Sequence, residues 1–244
     1  MNQLVSQQTL TALATLDTCA VTNAIECFDV RLRNEGFTNS TISCRLPELP
    51  PMVGYAMTLR VRSSSPSWKG DGYLDRTDWW NQLRAQPAPH VLVIQDMDQH
   101  PGKGAFIGEV HAAILLALGG VGAVTNGAVR DLPAVERLGF RLFSGGVAVS
   151  HSYMHVVEVG GPVEVGGLKI APGDLLHGDR HGIVHIPFEV AEKIPETVAR
   201  IRERERDIVD YCQSAGFNLE GLRRVSAAHS IPPADKPDSS AQKS

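Results

Sequence analysis

The densest concentration of residues able to do chemistry is GEVHAAILLALGGVGAVTNGAVRD, residues 108–131. Gly108 and Glu109 open an apolar helical stretch. Free backbone N–H groups and the positive end of the helix dipole favour a carboxylate-bearing ligand there. Twenty residues separate Glu109 from Arg130. One helix and one buried strand fill that gap, so a crossover can return the chain and set Arg130 and Asp131 beside the helix opening. Two carboxylates and a guanidinium then share one cleft. The carboxylates suit an oxygen-ligated divalent cation, while arginine holds a substrate carboxylate in a bidentate fork. Each residue alone also has a structural explanation. Asp131, followed by Leu132 and Pro133, is a good N-cap with proline in the first turn. Glu109 is an ordinary first-turn acid, and Arg130 a surface ion-pair partner of low worth. Only the conjunction points to function.

Other chemistries fit less well. A Schiff-base mechanism needs a lysine whose pKa is depressed by burial, yet Lys69, Lys103, Lys169, Lys193, Lys236 and Lys243 fall in loops, helix surface or tail sequence. The pairs His151 and His155, and His181 and His185, have a spacing that binds zinc only on a helix. Both lie in or beside strand-like sequence, where a four-residue offset separates the rings by about 13 Å. His177 and His181 flank Gly178 and Asp179 in an expected solvated turn, and Asp174 reads as a turn residue. The Trp79 and Trp80 pair reads as core or subunit contact. GGVGAVTNG lacks the order strand, G-x-G-x-x-G, helix of a dinucleotide loop, because its glycines are expected to precede the strand.

The elements that must position these residues alternate in the middle of the chain: helix 108–118, strand 122–125, helix 132–138, strand 140–143. That is α/β grammar with crossover connections. Upstream, Asp17 or Thr18 caps a helix through Phe28. Residues 53–62 form the clearest strand, with Tyr55, Met57, Leu59 and Val61 alternating against Ala56, Thr58 and Arg60. A Ser/Pro/Gly loop at 63–72 is long enough to suggest function. Helix 78–85 and the short apolar strand 90–95 follow. From Met154 onward, glycine-punctuated short segments predict antiparallel strands with tight turns. Residues 188–214 read as one long amphipathic helix, and 226–244 as a polar, disordered tail. The expectation is one domain over 1–225 plus that tail.

Composition narrows the class. Apolar residues make up 43% and charged residues 20% of 244, which excludes a wholly disordered, collagen-like or coiled-coil chain. With 23 basic against 27 acidic residues and a net charge of -4, no basic run follows a phosphate backbone, so nucleic acid is an unsuitable partner. The longest apolar stretch, 110–124, is too short and too interrupted to span a bilayer. Residues 1–16 lack a basic region followed by an apolar core, so no secretory signal is expected. Cys19, Cys27, Cys44 and Cys212 contain no C-x-x-C pair, which predicts reduced thiols and a cytoplasmic location.

GGVGAVTNGAVRD, with GEV upstream and PGDLLHGDRHGIVHIP downstream, resembles the RraA-like family. That family contains 4-hydroxy-4-methyl-2-oxoglutarate/4-carboxy-4-hydroxy-2-oxoadipate aldolase and the regulator of ribonuclease activity A. The similarity runs from about Leu16 to about Gly216 and includes LDTCAVTNAIE and MVGYAMTLRV. The resemblance implies a three-layer β/β/α swivelling-type sandwich, homotrimers or homohexamers with sites at subunit boundaries, and a lyase dependent on Mg2+ or Mn2+. Carried over by position, Asp131 anchors the metal and Arg130 grips the pyruvyl part of a 2-oxo acid substrate. Gly108, Glu109, Val110 and His111 line the pocket, with Glu109 and Arg130 also catalytic, and Glu203 or Glu205 supplies an acid from a neighbouring subunit. The implied reaction is retro-aldol cleavage of a 4-hydroxy-2-oxo diacid to pyruvate, with oxaloacetate-type decarboxylation through the same enolate. The alternatives are a non-catalytic regulator that binds a ribonuclease or other protein, and a different metal-dependent lyase or hydrolase. Many members carry Asp where this chain has Glu109, and Asp where it has Asn126, which leaves the exact substrate open.

Overall fold

A computed structural model describes residues 4–67 and 76–228. Helices α1 (Gln7–Leu13) and α2 (Thr18–Glu26) lead through strand β1 (Ser43–Cys44) to the long strand β2 (Met52–Arg62). Helix α3 (Arg76–Ala85), strands β3 (His90–Asp96) and β4 (Ala105–Ile107), helix α4 (Glu109–Ala117), strand β5 (Gly120–Val129), helix α5 (Leu132–Leu138) and strand β6 (Arg141–Val147) follow. Five short strands come next: β7 (His155–Val159), β8 (Val163–Val165), β9 (Leu168–Ile170), β10 (Leu175–Asp179) and β11 (Gly182–Ile186). Helices α6 (Phe188–Ala191), α7 (Ile194–Gln213) and α8 (Leu219–Ala228) end the described chain.

The main sheet runs in the order β1-β6-β5-β3-β2-β10-β11, with β4 added to β5 and β7 to β2. Strands β2, β3, β5 and β6 are mutually parallel, while β7, β10 and β11 are antiparallel to their neighbours. The parallel strands therefore end together at Arg62, Asp96, Val129 and Val147. In open α/β sheets ligands bind outside these carboxyl ends.

Side-chain size along β2 explains the layering. Val53, Tyr55, Met57, Leu59 and Val61 face the helices, in two cores built with α1, α2, α6 and α7 and with α3, α4 and α5. Met52 and Ala56 face the other way, against Val163, Val165, Leu168 and Ile170 of the β8-β9 hairpin. Helices, sheet and hairpin make the expected three β/β/α layers, and β2 is buried on both faces because it lies in the middle.

Several boundaries differ from the sequence expectation. The long helix is broken into α6 and α7, because Pro195 lacks an N–H and clashes with a preceding turn, so the helix restarts with proline in its first turn. Strand β5 begins at Gly120, so Gly120 and Gly122 of GGVGAV lie within it, and only Gly119 precedes it. Gly122 is required there, since a Cβ would stand 2.3 Å from Met52 Sδ and 2.8 Å from the Arg141 carbonyl. His177 is fully buried rather than in a solvated turn. Its Nε2 meets the Leu13 carbonyl at 3.1 Å and its Nδ1 meets Thr18 Oγ1 at 3.0 Å. Helix α8 continues to Ala228; the rest of the tail expected at 226–244, and residues 68–72 of the 63–72 loop, lie outside the described residues.

Candidate active site at the carboxyl ends of the strands

The sheet brings Gly108 and Glu109 beside Arg130 and Asp131. Strand β4 pairs with the end of β5, Ala105 opposite Ala128 and Ile107 opposite Val129. The Arg130 N–H donates to the Ile107 carbonyl at 2.9 Å. The start of α4 and the Arg130-Asp131 pair therefore stand side by side. Asp131 Oδ2 accepts from the Glu109 N–H at 3.2 Å and from Arg130 Nε at 3.2 Å. Gly108 makes the approach possible: a Cβ there would lie 2.5 Å from Asp131 Oδ2 and 3.0 Å from Arg130 Cγ.

Asp131 occupies the N-cap position of α5 in left-handed backbone, φ 56 and ψ 34, and its side chain caps nothing in that helix. A non-glycine residue in this region carries strain that persists only where the surroundings enforce it, and such residues cluster at functional sites. The capping role that the sequence offers for Asp131 is thus not the one it plays. Its carboxylate is turned to the opening of α4, and Oδ1 accepts no hydrogen bond from the described residues. Glu109 and Val110 are exposed, while His111 is half-buried with its ring stacked on Phe106, centroids 5.0 Å apart.

The Asp131 carboxylate, with Oδ1 open at the start of α4, fits a cation of the Mg2+ type, and the exposed Glu109 is the next acid in that segment. Such ions keep several waters and take one or two protein carboxylates plus substrate oxygens. Among the described residues no group of three or more His, Cys, Asp or Glu is placed to hold an ion. Glu203 and Glu205 lie on α7, which packs on α1 and α2. The contacts within one chain do not bring them to Arg130 and Asp131.

Sequence reasoning missed a second set of acids on the same strand ends. Asp96 is buried, accepting from Asp98 N–H at 3.0 Å and Gly102 N–H at 2.8 Å; burial raises its pKa, and those donors only partly offset it. Asp98 accepts from the N–H and hydroxyl groups of both Ser63 and Ser64. Burial acts to raise the Asp98 pKa, but these bonds outweigh it and hold the group below its usual value. Both acids fasten the loops around the site. The signal available was the D-x-D that ends the apolar run at 90–95. Asn126 belongs to this scaffold: its Oδ1 accepts from the Asp96 N–H at 2.7 Å and its Nδ2 donates to the Asp96 carbonyl at 3.0 Å. The chain's departure from Asp at that position is explained by this two-way clamp, which needs a donor as well as an acceptor.

The molecule is thus a three-layer β/β/α protein in which Arg130 and Asp131 meet the opening of a helix at the carboxyl end of the sheet. The comparisons with known proteins make this specific. The RraA-like profile, described as Aldolase/RraA, matches residues 18–185, and the chain belongs to that family. It is 28% identical over 221 residues to a provisionally named 4-hydroxy-4-methyl-2-oxoglutarate aldolase of Halalkalibacterium halodurans, covering 87% of this chain and 94% of that one. Its fold is similar to that of an uncharacterized protein from Pseudomonas syringae pv. tomato, with TM-score 0.70, 24% identity and coverage of 92% and 96% of the two chains. It is also similar to Streptomyces coelicolor RraAS2, an unusual member of the RNase ES inhibitor RraA protein family. That match has TM-score 0.64, 22% identity and coverage of 84% and 96%.

Proposed function

We propose that this protein is a divalent-metal-dependent lyase. It cleaves a 4-hydroxy-2-oxo diacid by retro-aldol chemistry to give pyruvate, and decarboxylates oxaloacetate-type substrates through the same enolate. The observation that carries the reading is Asp131, held in strained backbone so that its carboxylate meets Arg130 and the Glu109 amide instead of capping its own helix. Membership of the Aldolase/RraA family supports it.

Each residue has a task. The Arg130 guanidinium holds the C1 carboxylate and faces the negative charge that develops on the C2 oxygen. The first-turn amides of α4 add positive potential at the same place. Asp131 holds the cation, with Glu109 beside it as a second carboxylate or a holder of water. When bound, the cation supplies Lewis-acid polarisation of the 2-oxo group. A Schiff-base route has no support: Lys103, Lys169 and Lys193, the lysines among the described residues, are all exposed.

An apolar collar borders the site, with Val110 70%, Val147 55% and Val149 98% exposed. Seating another copy against it excludes water from the reaction and agrees with the trimer or hexamer that the resemblance implies. The test is a pyruvate-coupled assay on purified protein with Mg2+ or Mn2+, run beside light scattering. Pyruvate release from oxaloacetate or 4-hydroxy-4-methyl-2-oxoglutarate, abolished by EDTA and restored by metal, is expected from an oligomer. Turnover that survives EDTA removes the metal, and a monomeric mass removes the covering subunit.

A further inference from the structure

The segment between β6 and β7 does more than connect them. Strand β6 flanks β5 on one side, Val147 opposite Val129, and the Ala148 N–H extends that ladder to the Val129 carbonyl at 3.0 Å. Strand β4 flanks the end of β5 on the other side. On the far edge of β4, the Ala105 N–H donates to the Ser150 carbonyl at 2.9 Å. Residues 148–150 therefore arch over the end of β5, where Arg130 and Asp131 emerge. The arch is fastened beyond that point as well. Ser152 Oγ donates to the Ser63 carbonyl at 2.9 Å, and the Tyr153 N–H reaches the same carbonyl at 3.2 Å. Gly104 leaves no room for a side chain, since a Cβ would lie 2.2 Å from the His151 carbonyl oxygen.

His151 stands at the foot of this arch. Its Nδ1 lies 3.0 Å from the Ala105 carbonyl oxygen. A carbonyl only accepts, so Nδ1 carries the proton and Nε2 keeps its lone pair. Ala105 is two strand residues from Ile107, roughly 6.6 Å along β4, and the Ile107 carbonyl holds the Arg130 backbone. The fixed tautomer, exposure and position give His151 the properties of a general base.

Resting on the lyase reading above, we infer that His151 Nε2 takes the proton of the substrate's 4-hydroxyl group. The O–H electron pair forms the C4 carbonyl and the C3–C4 bond breaks. Its electrons move into C2–C3, leaving the enolate oxygen on C2 opposite Arg130. The imidazolium then returns the proton to C3. One 2-oxo acid leaves from the C4 side and pyruvate from the other, with atoms and charge balanced. Decarboxylation of oxaloacetate has no hydroxyl proton to remove, so its C–C bond breaks without this base, and the released enolate takes its C3 proton from water.

The two substrates therefore separate the role. In His151→Gln and His151→Ala, cleavage of 4-hydroxy-4-methyl-2-oxoglutarate is expected to fall about 100-fold in kcat, while oxaloacetate decarboxylation changes less than threefold. In the wild type, two-bond 1H–15N correlation is expected to show His151 as the Nδ1–H tautomer. Equal losses with both substrates, unchanged cleavage, or an Nε2–H tautomer overturns the inference. Wild-type protein that releases pyruvate from neither substrate instead overturns the lyase reading, and this role falls with it.

Discussion

At the scale of single residues, the decisive fact is a conflict that Asp131 resolves in favour of its neighbours. An aspartate before Leu-Pro at a helix start is expected to turn its oxygens onto the first-turn amides of that helix. Here φ is 56 and the carboxylate points elsewhere. Asparagine tolerates the left-handed region nearly as well as aspartate, and glycine better. Asp131→Asn and Asp131→Gly are accordingly expected to melt within a few degrees of wild type while losing at least ~10²-fold in metal-dependent kcat. Thermal denaturation and the pyruvate assay read the two properties separately. The opposite pattern, a stability loss near ~1 kcal/mol with turnover retained, is what a cap would give.

At the scale of elements, the site depends on how the ends of β3 and β5 are tied to each other. Asn126 does this with one acceptor and one donor on the Asp96 backbone. Asn126→Asp keeps the shape but loses the donor and sets a carboxylate oxygen against a carbonyl oxygen. Leaving a half-buried acceptor unpaired costs about 1–3 kcal/mol. At roughly 2–4 °C per kcal/mol for a chain of this size, Tm should fall by about 2–12 °C. A variant that melts with the wild type would show that the clamp does not hold these strands. Strand β5 also shows why its start was hard to read. Glycine is unfavourable in a strand by propensity, yet packing against Met52 and Arg141 demands it at 122.

At the scale of the whole molecule, stability is coupled to pH through buried histidines. Burial lowers the pKa of His177, against smaller opposing contributions that include the Leu13 carbonyl and Asp179, and burial likewise lowers His90 and His185. A base whose folded pKa lies below its unfolded value of 6.5 binds protons more readily when unfolded. Stability therefore rises with pH, is fully present above about 6.5, and is lost as pH falls below it. The depressed carboxylates Asp17, Asp98, Asp179 and Glu192 act in a lower window, below their unfolded values near 3.8 and 4.5. Asp96, whose pKa is raised, works in the opposite sense. Tm should drop between pH 6.5 and 5, and less steeply in His177→Gln, which cannot titrate. An identical slope in that variant would mean that His177 is not among the groups responsible.

The sequence by itself determined the layered α/β class, the capped α2 with Asp17 accepting from Ala20, and the pairing of an acid-led helix with Arg130 and Asp131. These follow from local periodicity, capping chemistry and the length of one crossover. It could not give the break before α7 its position, the burial of His177, or the scaffold of Asp96, Asp98 and Asn126, since their partners lie tens of residues away. Only the tertiary structure decided which way Asp131 faces and that 148–150 arch over Arg130. Both are outcomes of strand order and register, and those are fixed when distant apolar faces are buried together rather than by any neighbour in the chain.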